Sequence, residues 1–216
     1  LFRSLTLQVG SSAKQNRRSS YGNDMKIGFK HQKLSLSANF SYDNTKNRSI
    51  LPQTKELFLG ENTHRYAQDQ TAKGHLTNGE WQINMDYEIN DRHNIGVEWN
   101  LSNNKDNEHR ISTLDYQLNN KVVQLTDILN DYTNKTKYNH VNLFYNAQWS
   151  KLLSSEFNLD YANNNNKYNQ KTNETTASVP KLTISIGNNI LDIYSGKFAF
   201  DYKLNEKLGL SWGIEC

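Results

Sequence analysis

The stretch Trp81-Gln82-Ile83-Asn84-Met85-Asp86-Tyr87-Glu88-Ile89-Asn90-Asp91-Arg92-His93-Asn94-Ile95-Gly96-Val97-Glu98-Trp99-Asn100-Leu101 decides the fold. Side chains of a β-strand point alternately to opposite faces, so a period of two in polarity reports a strand with one apolar and one wet face. Here the odd positions Trp81, Ile83, Met85, Tyr87 and Ile89 are apolar, and Gln82, Asn84, Asp86 and Glu88 between them are polar. After the polar run Asn90 to Asn94 the alternation resumes with Ile95, Val97, Trp99 and Leu101 set against Gly96, Glu98 and Asn100. The whole reads as a hairpin with a short turn.

The unit recurs on both sides. Met25, Ile27 and Phe29 lead through Lys30-His31-Gln32-Lys33 to Leu34, Leu36, Ala38, Phe40 and Tyr42. Val141, Leu143, Tyr145, Ala147 and Trp149 pass a turn over 150–155 and continue as Phe157, Leu159 and Tyr161. Phe198, Phe200, Tyr202 and Leu204 pass Asn205-Glu206-Lys207 to Leu208, Leu210, Trp212 and Ile214. Turns near 30–33, 90–94, 150–155 and 205–207 repeat at intervals of about sixty residues, a hairpin meander. With the opening strand Leu5, Leu7, Val9, the reading predicts about nine strands, many near the ~9–11 residues that span a tilted bilayer crossing.

The connections are lopsided. Three to six residues make each turn on one side, whereas 43–78, 102–140 and 163–195 read as long, Asn-rich polar loops on the other. Short periplasmic turns with long external loops mark outer-membrane barrels. The connection over 10–20 is the short exception. Alternation persists over 111–118 and 179–186, which predicts hairpin arms beyond the membrane, and 122–129 is the one stretch ambiguous between helix and strand. The expected fold is therefore all-β, an antiparallel up-and-down transmembrane β-barrel segment occupying residues 1–216.

Composition removes the other classes. Of 216 residues 35% are hydrophobic, mean hydropathy is -0.86, and nothing approaches the ~18 consecutive apolar residues of a membrane helix. The 25 basic and 22 acidic residues are spread along the chain without a basic block, which argues against nucleic acid as partner. Cys216 is the single cysteine, so no intrachain disulfide forms. The start at Leu1 shows no export leader, and the signal is expected to be removed or upstream. A soluble β-sandwich alternates too, but breaks its strands with Gly and Pro turns. Here the two prolines, Pro52 and Pro180, fall in the long connections. Bulky aromatics sit at the ends of the apolar runs, among them Tyr42, Trp81, Tyr87, Trp99, Trp149, Tyr161, Tyr202 and Trp212. Such amphipathic rings favour the headgroup zone of a bilayer.

An odd strand number would place the first and last strands parallel, and bacterial single-chain barrels have even counts. An open edge in hydrocarbon costs several kcal/mol for each unpaired backbone group. The expectation is a partial barrel. Two strand–turn–strand units carry a resemblance, Ile83 to Ile95 and Lys197 to Leu208. Both are similar to the periplasmic turns of TonB-dependent receptors, the version with a carboxypeptidase-regulatory-like domain and a plug upstream. The run Met25 to Tyr42 is similar to that family's first strands after the plug. The resemblance implies a barrel of about twenty-two strands in the bacterial cell outer membrane, with a plug, importing a nutrient or chelate on energy from the TonB complex. Its partners would be the lipid bilayer, the remainder of the barrel and the plug, and TonB through a region N-terminal to this one. A self-contained small barrel and a soluble β-rich surface-binding protein are the alternatives.

Chemistry-bearing patterns are sparse. His31 and His93 lie in the short turns and His64, His75, His109 and His140 in or beside the long connections, none with HxH or HExxH spacing. Asp91-Arg92-His93 sets a carboxylate beside an imidazole, but consecutive side chains of a tight turn diverge. The triplets at Asn47, Asn134 and Asn173 match a glycosylation sequon, as chance allows in so Asn-rich a chain. The Asn163 to Asn166 run lacks the charge for a hard cation. The expectation is a non-enzymatic receptor segment with no cofactor, no metal and no catalytic residue. Its lumen would be lined by residues such as Gln82, Asn84, Asp86 and Glu88. Ligand contact, if any, is sought at Tyr116, Tyr132, Tyr138 and Tyr168, with Arg17, Arg18, Arg48, Arg65 and Arg110 steering an anion.

Overall fold

The computed structural model of the chain describes residues 3–15, 19–204 and 208–216. All ten strands belong to one antiparallel sheet: β1 (Arg3–Gln15), β2 (Ser19–His31), β3 (Leu34–Ile50), β4 (Gln53–Leu59), β5 (Asn62–Asn90), β6 (His93–Leu118), β7 (Lys121–Gln148), β8 (Leu153–Thr176), β9 (Val179–Lys203) and β10 (Gly209–Glu215). The order is β1-β2-β3-β5-β6-β7-β8-β9-β10, with β4 off this path and pairing β5. β4 continues the lane of β3. Ile50 faces Thr71 and Gln53 faces Gln68 in unbroken register, and Leu51 N–H still donates to Gln70 O at 2.9 Å. Pro52, which has no N–H, interrupts the ladder there. The sequence-based strand number of about nine thus describes the lanes of this sheet.

The long connections expected over 43–78, 102–140 and 163–195 are corrected: they are strand, not loop. β5 alone runs 29 residues, about 95 Å at ~3.3 Å per residue. Paired arms close at tight turns over 60–61, 119–120 and 177–178. Gly60 has φ +63°, Asn119 and Asn120 have φ 50° and 63°, and Ala177 and Ser178 have φ 47° and 68°. Two successive left-handed residues fit the sharply twisted two-residue hairpin turn that favours Asn-Gly. Ala177 and Ser178 are poor residues for it. The double change A177N/S178G should stabilise the β8–β9 arm by about 0.5–1 kcal/mol, read as slower amide exchange at Thr176 and Val179; unchanged or faster exchange would refute the turn assignment.

The ambiguous stretch 122–129 belongs to β7. On the opposite side, the turns fall at Gln32-Lys33, Asp91-Arg92 and 149–152. The fourth expected turn, 205–207, lies outside the described residues. The connection expected over 10–20 is corrected to 16–18, also outside them, because β1 continues to Gln15 and β2 begins at Ser19.

Register assigns every side chain a face, because residues directly paired across antiparallel strands lie on the same side. One transverse row reads Leu5, Phe29, Leu36, Met85, Val97, Leu143, Leu159, Gly196. The next reads Leu7, Ile27, Ala38, Ile83, Trp99, Val141, Tyr161, Tyr194. Neither contains a charge. Between them runs Thr6, Gly28, Ser37, Asn84, Glu98, Asn142, Asp160, Ser195, on the other face. The alternation seen in single strands is therefore coherent across the sheet.

The aromatics flank this apolar band. On its arm side Phe40 meets Trp81 with ring centroids 4.3 Å apart and Tyr161 meets Tyr194 at 4.9 Å. On the other side His93 meets Trp149 at 5.1 Å and Phe200 meets Trp212 at 5.5 Å. Across the paired rows the arm-side rings step from the Phe40–Trp81 row on β3 and β5 to the adjacent row of Trp99, Tyr161 and Tyr194 on β6, β8 and β9. The edge of the band therefore cuts the strands obliquely, the tilt a barrel wall needs.

No described residue covers the band. Among the described residues the buried hydrophobics are Ala72 and Ala147. Trp81, Ile83, Met85 and Tyr87 are 48, 40, 40 and 43% exposed, while Gln82, Asn84 and Asp86 between them are half-buried. This is the reverse of a soluble strand. The accessible surface, 15646 Å², exceeds the ~10,000 Å² expected of a compact chain of this mass. A sandwich core, the alternative the sequence allowed, is not present in this sheet.

Candidate functional site

The polar face carries the chemistry. Gln8, Asp24, Lys26, Asn39, Ser41, Glu80, Gln82, Asn100, Ser102 and Tyr138 come from six neighbouring strands and line one hollow of about 570 Å³. They meet because antiparallel register sets every second residue on this face. Hydrogen bonds cross the strands beneath it. Asn39 Nδ2 donates to Gln82 Oε1 at 3.1 Å and Asn84 Nδ2 to Ser37 Oγ at 3.3 Å. A second network surrounds Asp160, whose Oδ1 accepts from Asn142 Nδ2 at 2.9 Å and lies 3.0 Å from His140 Nε2. The other ring nitrogen of His140 is 3.5 Å from Asn100 Nδ2. With both nitrogens engaged, neither faces a serine or cysteine, so this His–Asp contact does not form the relay of a nucleophilic triad.

Charge of both signs is spread over this face rather than gathered. Lys30 pairs with Glu88 at 3.5 Å and Lys197 with Glu156 at 3.2 Å. These pairs are half in solvent and contribute little to stability. The lumen-lining residues expected from sequence, Gln82, Asn84, Asp86 and Glu88, all lie on this face by register. What the surface offers is a wetted, hydrogen-bonding wall suited to a polar solute, with no concentrated charge to trap one. Among the described residues no group of three or more His, Cys, Asp or Glu is placed to hold a metal ion.

The four candidate tyrosines share the polar face. Tyr138 lines the hollow and stacks on His140. The other three stand along the arms. Tyr116 is stacked on Tyr66 with centroids 4.8 Å apart, and its hydroxyl lies 2.9 Å from His64 Nδ1. Tyr168 lies over Gly187, where an added Cβ would fall 2.1 Å from the ring. Tyr116 and Tyr168 are thus committed to neighbours within the sheet, Tyr132 stands between Glu108 and Gln170 across the strands, and Tyr138 fronts the hollow. The arginines divide. Arg110 shares the polar face and bonds Glu108, while Arg65 lies on the apolar-band side of the sheet 3.7 Å from Glu56. Arg48 is on that side too, facing Lys73. Arg17 and Arg18 lie outside the described residues.

The histidines are strand residues rather than solvated loop residues. His75 meets Asn44 Oδ1 at 3.1 Å, His109 meets Asp131 Oδ1 at 2.5 Å, and His93 meets the Tyr145 hydroxyl at 2.8 Å. The hollow and the His140–Asp160–Asn142 cluster were not singled out from sequence. Their members lie far apart along the chain, and only register brings them together.

Comparison with known proteins gives a narrow result. No family model matches the chain, and no curated protein matches it. Among solved structures it is similar to the ferric yersiniabactin uptake receptor FyuA from Yersinia pestis, at 10% identity, 94% coverage of this chain and a TM-score of 0.27. BauA, the ferric preacinetobactin receptor from Acinetobacter baumannii, gives 9% identity, 97% coverage and a TM-score of 0.22. CarO from the same species gives 10% identity, 90% coverage and a TM-score of 0.19. The chain spans 39% of the length of FyuA, 46% of BauA and 96% of CarO. At these scores the likeness carries no argument about function.

Proposed function

We propose that this sheet is part of the wall of a bacterial outer-membrane barrel, its apolar band facing lipid and its polar face lining a water-filled lumen. The observation that carries the proposal is the inverted burial along β5, with Trp81, Ile83, Met85 and Tyr87 exposed and Gln82, Asn84 and Asp86 half-buried. In water, leaving such a band uncovered forfeits about 25 cal/mol for every Å² of apolar surface. In a bilayer the same surface is solvated by acyl chains. The first and last strands of the sheet, β1 and β10, have no second neighbour among the described residues. In hydrocarbon those edges require partners, which supports the reading that further strands complete the wall.

Within that wall we assign the chain to a non-enzymatic TonB-dependent receptor that takes up a nutrient or chelate. The turn at Asn90-Asp91-Arg92-His93, which resembles that family's periplasmic turns, and the contrast between short turns and long arms support the assignment. The experiment is uptake of labelled ferric chelates and of labelled cobalamin by cells with and without the gene, each with and without a protonophore. Energy-dependent uptake lost with the gene is the expected result. A protein that fractionates with the outer membrane but alters no uptake would retain the barrel and refute the transport role; a detergent-free soluble monomer would refute both.

A further inference from the structure

Above the aromatic edge of the apolar band, on the same side of the sheet, lies a cluster of ammonium groups without counter-charges. Lys105 on β6 faces Lys135 on β7, and Lys135 faces Lys167 on β8. Lys137 stands on the same side, two residues nearer the band. All four are exposed, and none makes an ion pair or a side-chain hydrogen bond within the described residues. The two transverse rows that hold these lysines contain no carboxylate. The nearest acid along β7 on this side is Asp131, already in contact with His109. Like charges placed directly opposite on neighbouring strands destabilise a sheet. A row of three is a cost that a bound anion would remove.

The place of the cluster says what kind of anion. Lys105, Lys135 and Lys137 form one end of a groove of about 460 Å³ whose other end is Phe40, Tyr42 and Trp81. Gly79 and Asn103 between them keep its floor low. The Phe40–Trp81 row adjoins the apolar band, Lys137 shares the next row on this side with Tyr42, and Lys105 and Lys135 stand one row farther toward the arms. An occupant must therefore be apolar on the band side and anionic on the arm side.

We propose that this groove binds the phosphorylated headgroup of an outer-leaflet lipid, with Lys105, Lys135 and Lys137 on the phosphate and Phe40, Tyr42 and Trp81 against the headgroup–acyl junction. The proposal rests on the reading that the apolar band faces lipid. Each lysine near an anionic lipid surface strengthens attraction appreciably, and the attraction fades within a Debye length. Three converging on one groove give selectivity for a phosphomonoester over a zwitterion.

The test uses the whole protein in lipid nanodiscs, with Trp99, Trp149 and Trp212 changed to Phe so that Trp81 reports alone. Its fluorescence is quenched with brominated phosphatidylcholine or brominated phosphatidic acid. Quenching by both lipids, with phosphatidic acid favoured roughly fivefold or more, is expected. The preference should vanish in K105Q/K135Q/K137Q and survive Lys26→Gln on the polar face. Quenching by both without preference, or a preference that the triple variant keeps, overturns the lipid site while leaving the barrel intact. A preference abolished by millimolar inorganic phosphate would make it a free-anion site instead. No quenching by brominated phosphatidylcholine would overturn the lipid-facing assignment, and this proposal with it.

Discussion

Arginine introduced at Met85 or Leu143 should cost the assembled protein about 2–4 kcal/mol, and arginine at Asn84 or Asn142 should cost almost nothing. The four positions are neighbours. Met85 and Leu143 lie in one transverse row, separated only by Val97, and are 40 and 47% exposed. In water an exposed site tolerates a cation. In a bilayer the same site is near the hydrocarbon midplane, and the guanidinium must be desolvated or drag water in. Asn84 and Asn142 share the polar row with Glu98 and Asp160, so a guanidinium there gains a carboxylate neighbour. Urea titration of folding into lipid, read by the heat-modifiable shift on gels, measures both pairs. Equal penalties on the two faces would contradict the membrane placement.

The second large effect is expected at Gly96. A Cβ there would fall 2.3 Å from Phe144 Cζ and 2.8 Å from the Met85 carbonyl oxygen. Phe144 is the direct cross-strand partner, and its ring lies over the glycine, an arrangement that compensates for the missing side chain. G96A should destabilise by about 1–3 kcal/mol through overpacking. Combining it with F144A removes the ring but not the carbonyl contact, so the double change should recover only part of that loss. A fully additive cycle would show that ring and glycine do not interact.

Much of the fold was legible because one face of each strand is apolar inside the band. Trp81 to Ile89 fixes a strand, a face and a turn without any tertiary information. Legibility fails where both faces turn polar. Asn103-Asn104-Lys105-Asp106-Asn107 has no alternation to read, yet it is paired on both sides as the middle of β6. Backbone pairing extends there because two long neighbours hold the strand in place, and hydropathy does not record that. Residues 122–129 failed for a different reason. A register shift between Tyr116 and Gln117 leaves Val123 unpaired, which returns Val122 and Leu125 to the same side of the sheet. Val122, Leu125 and Leu129 then stand at spacings of three and four, the period of a helix, inside a strand. Bulges of this kind break the period-two signal while preserving the sheet.

The candidate site was less legible. Period two predicts that Gln82, Asn84, Asp86 and Glu88 share a side, but not which residues of other strands stand beside them. Tyr138 and Tyr168 are indistinguishable in sequence. Register puts one at an open hollow and the other over Gly187, and that difference decides which is free to meet a solute.

The length of β5 has a consequence for encounter with a solute. About ten of its 29 residues suffice to cross the hydrocarbon. The rest, some 60 Å at ~3.3 Å per residue, would stand clear of the lipid as a paired ribbon. Diffusing molecules, and equally phage or antibodies, would then touch the hairpin tips around Gly60, Asn120 and Ala177 long before the mouth of the lumen. Variation at those tips would alter what the cell surface displays without disturbing the wall beneath.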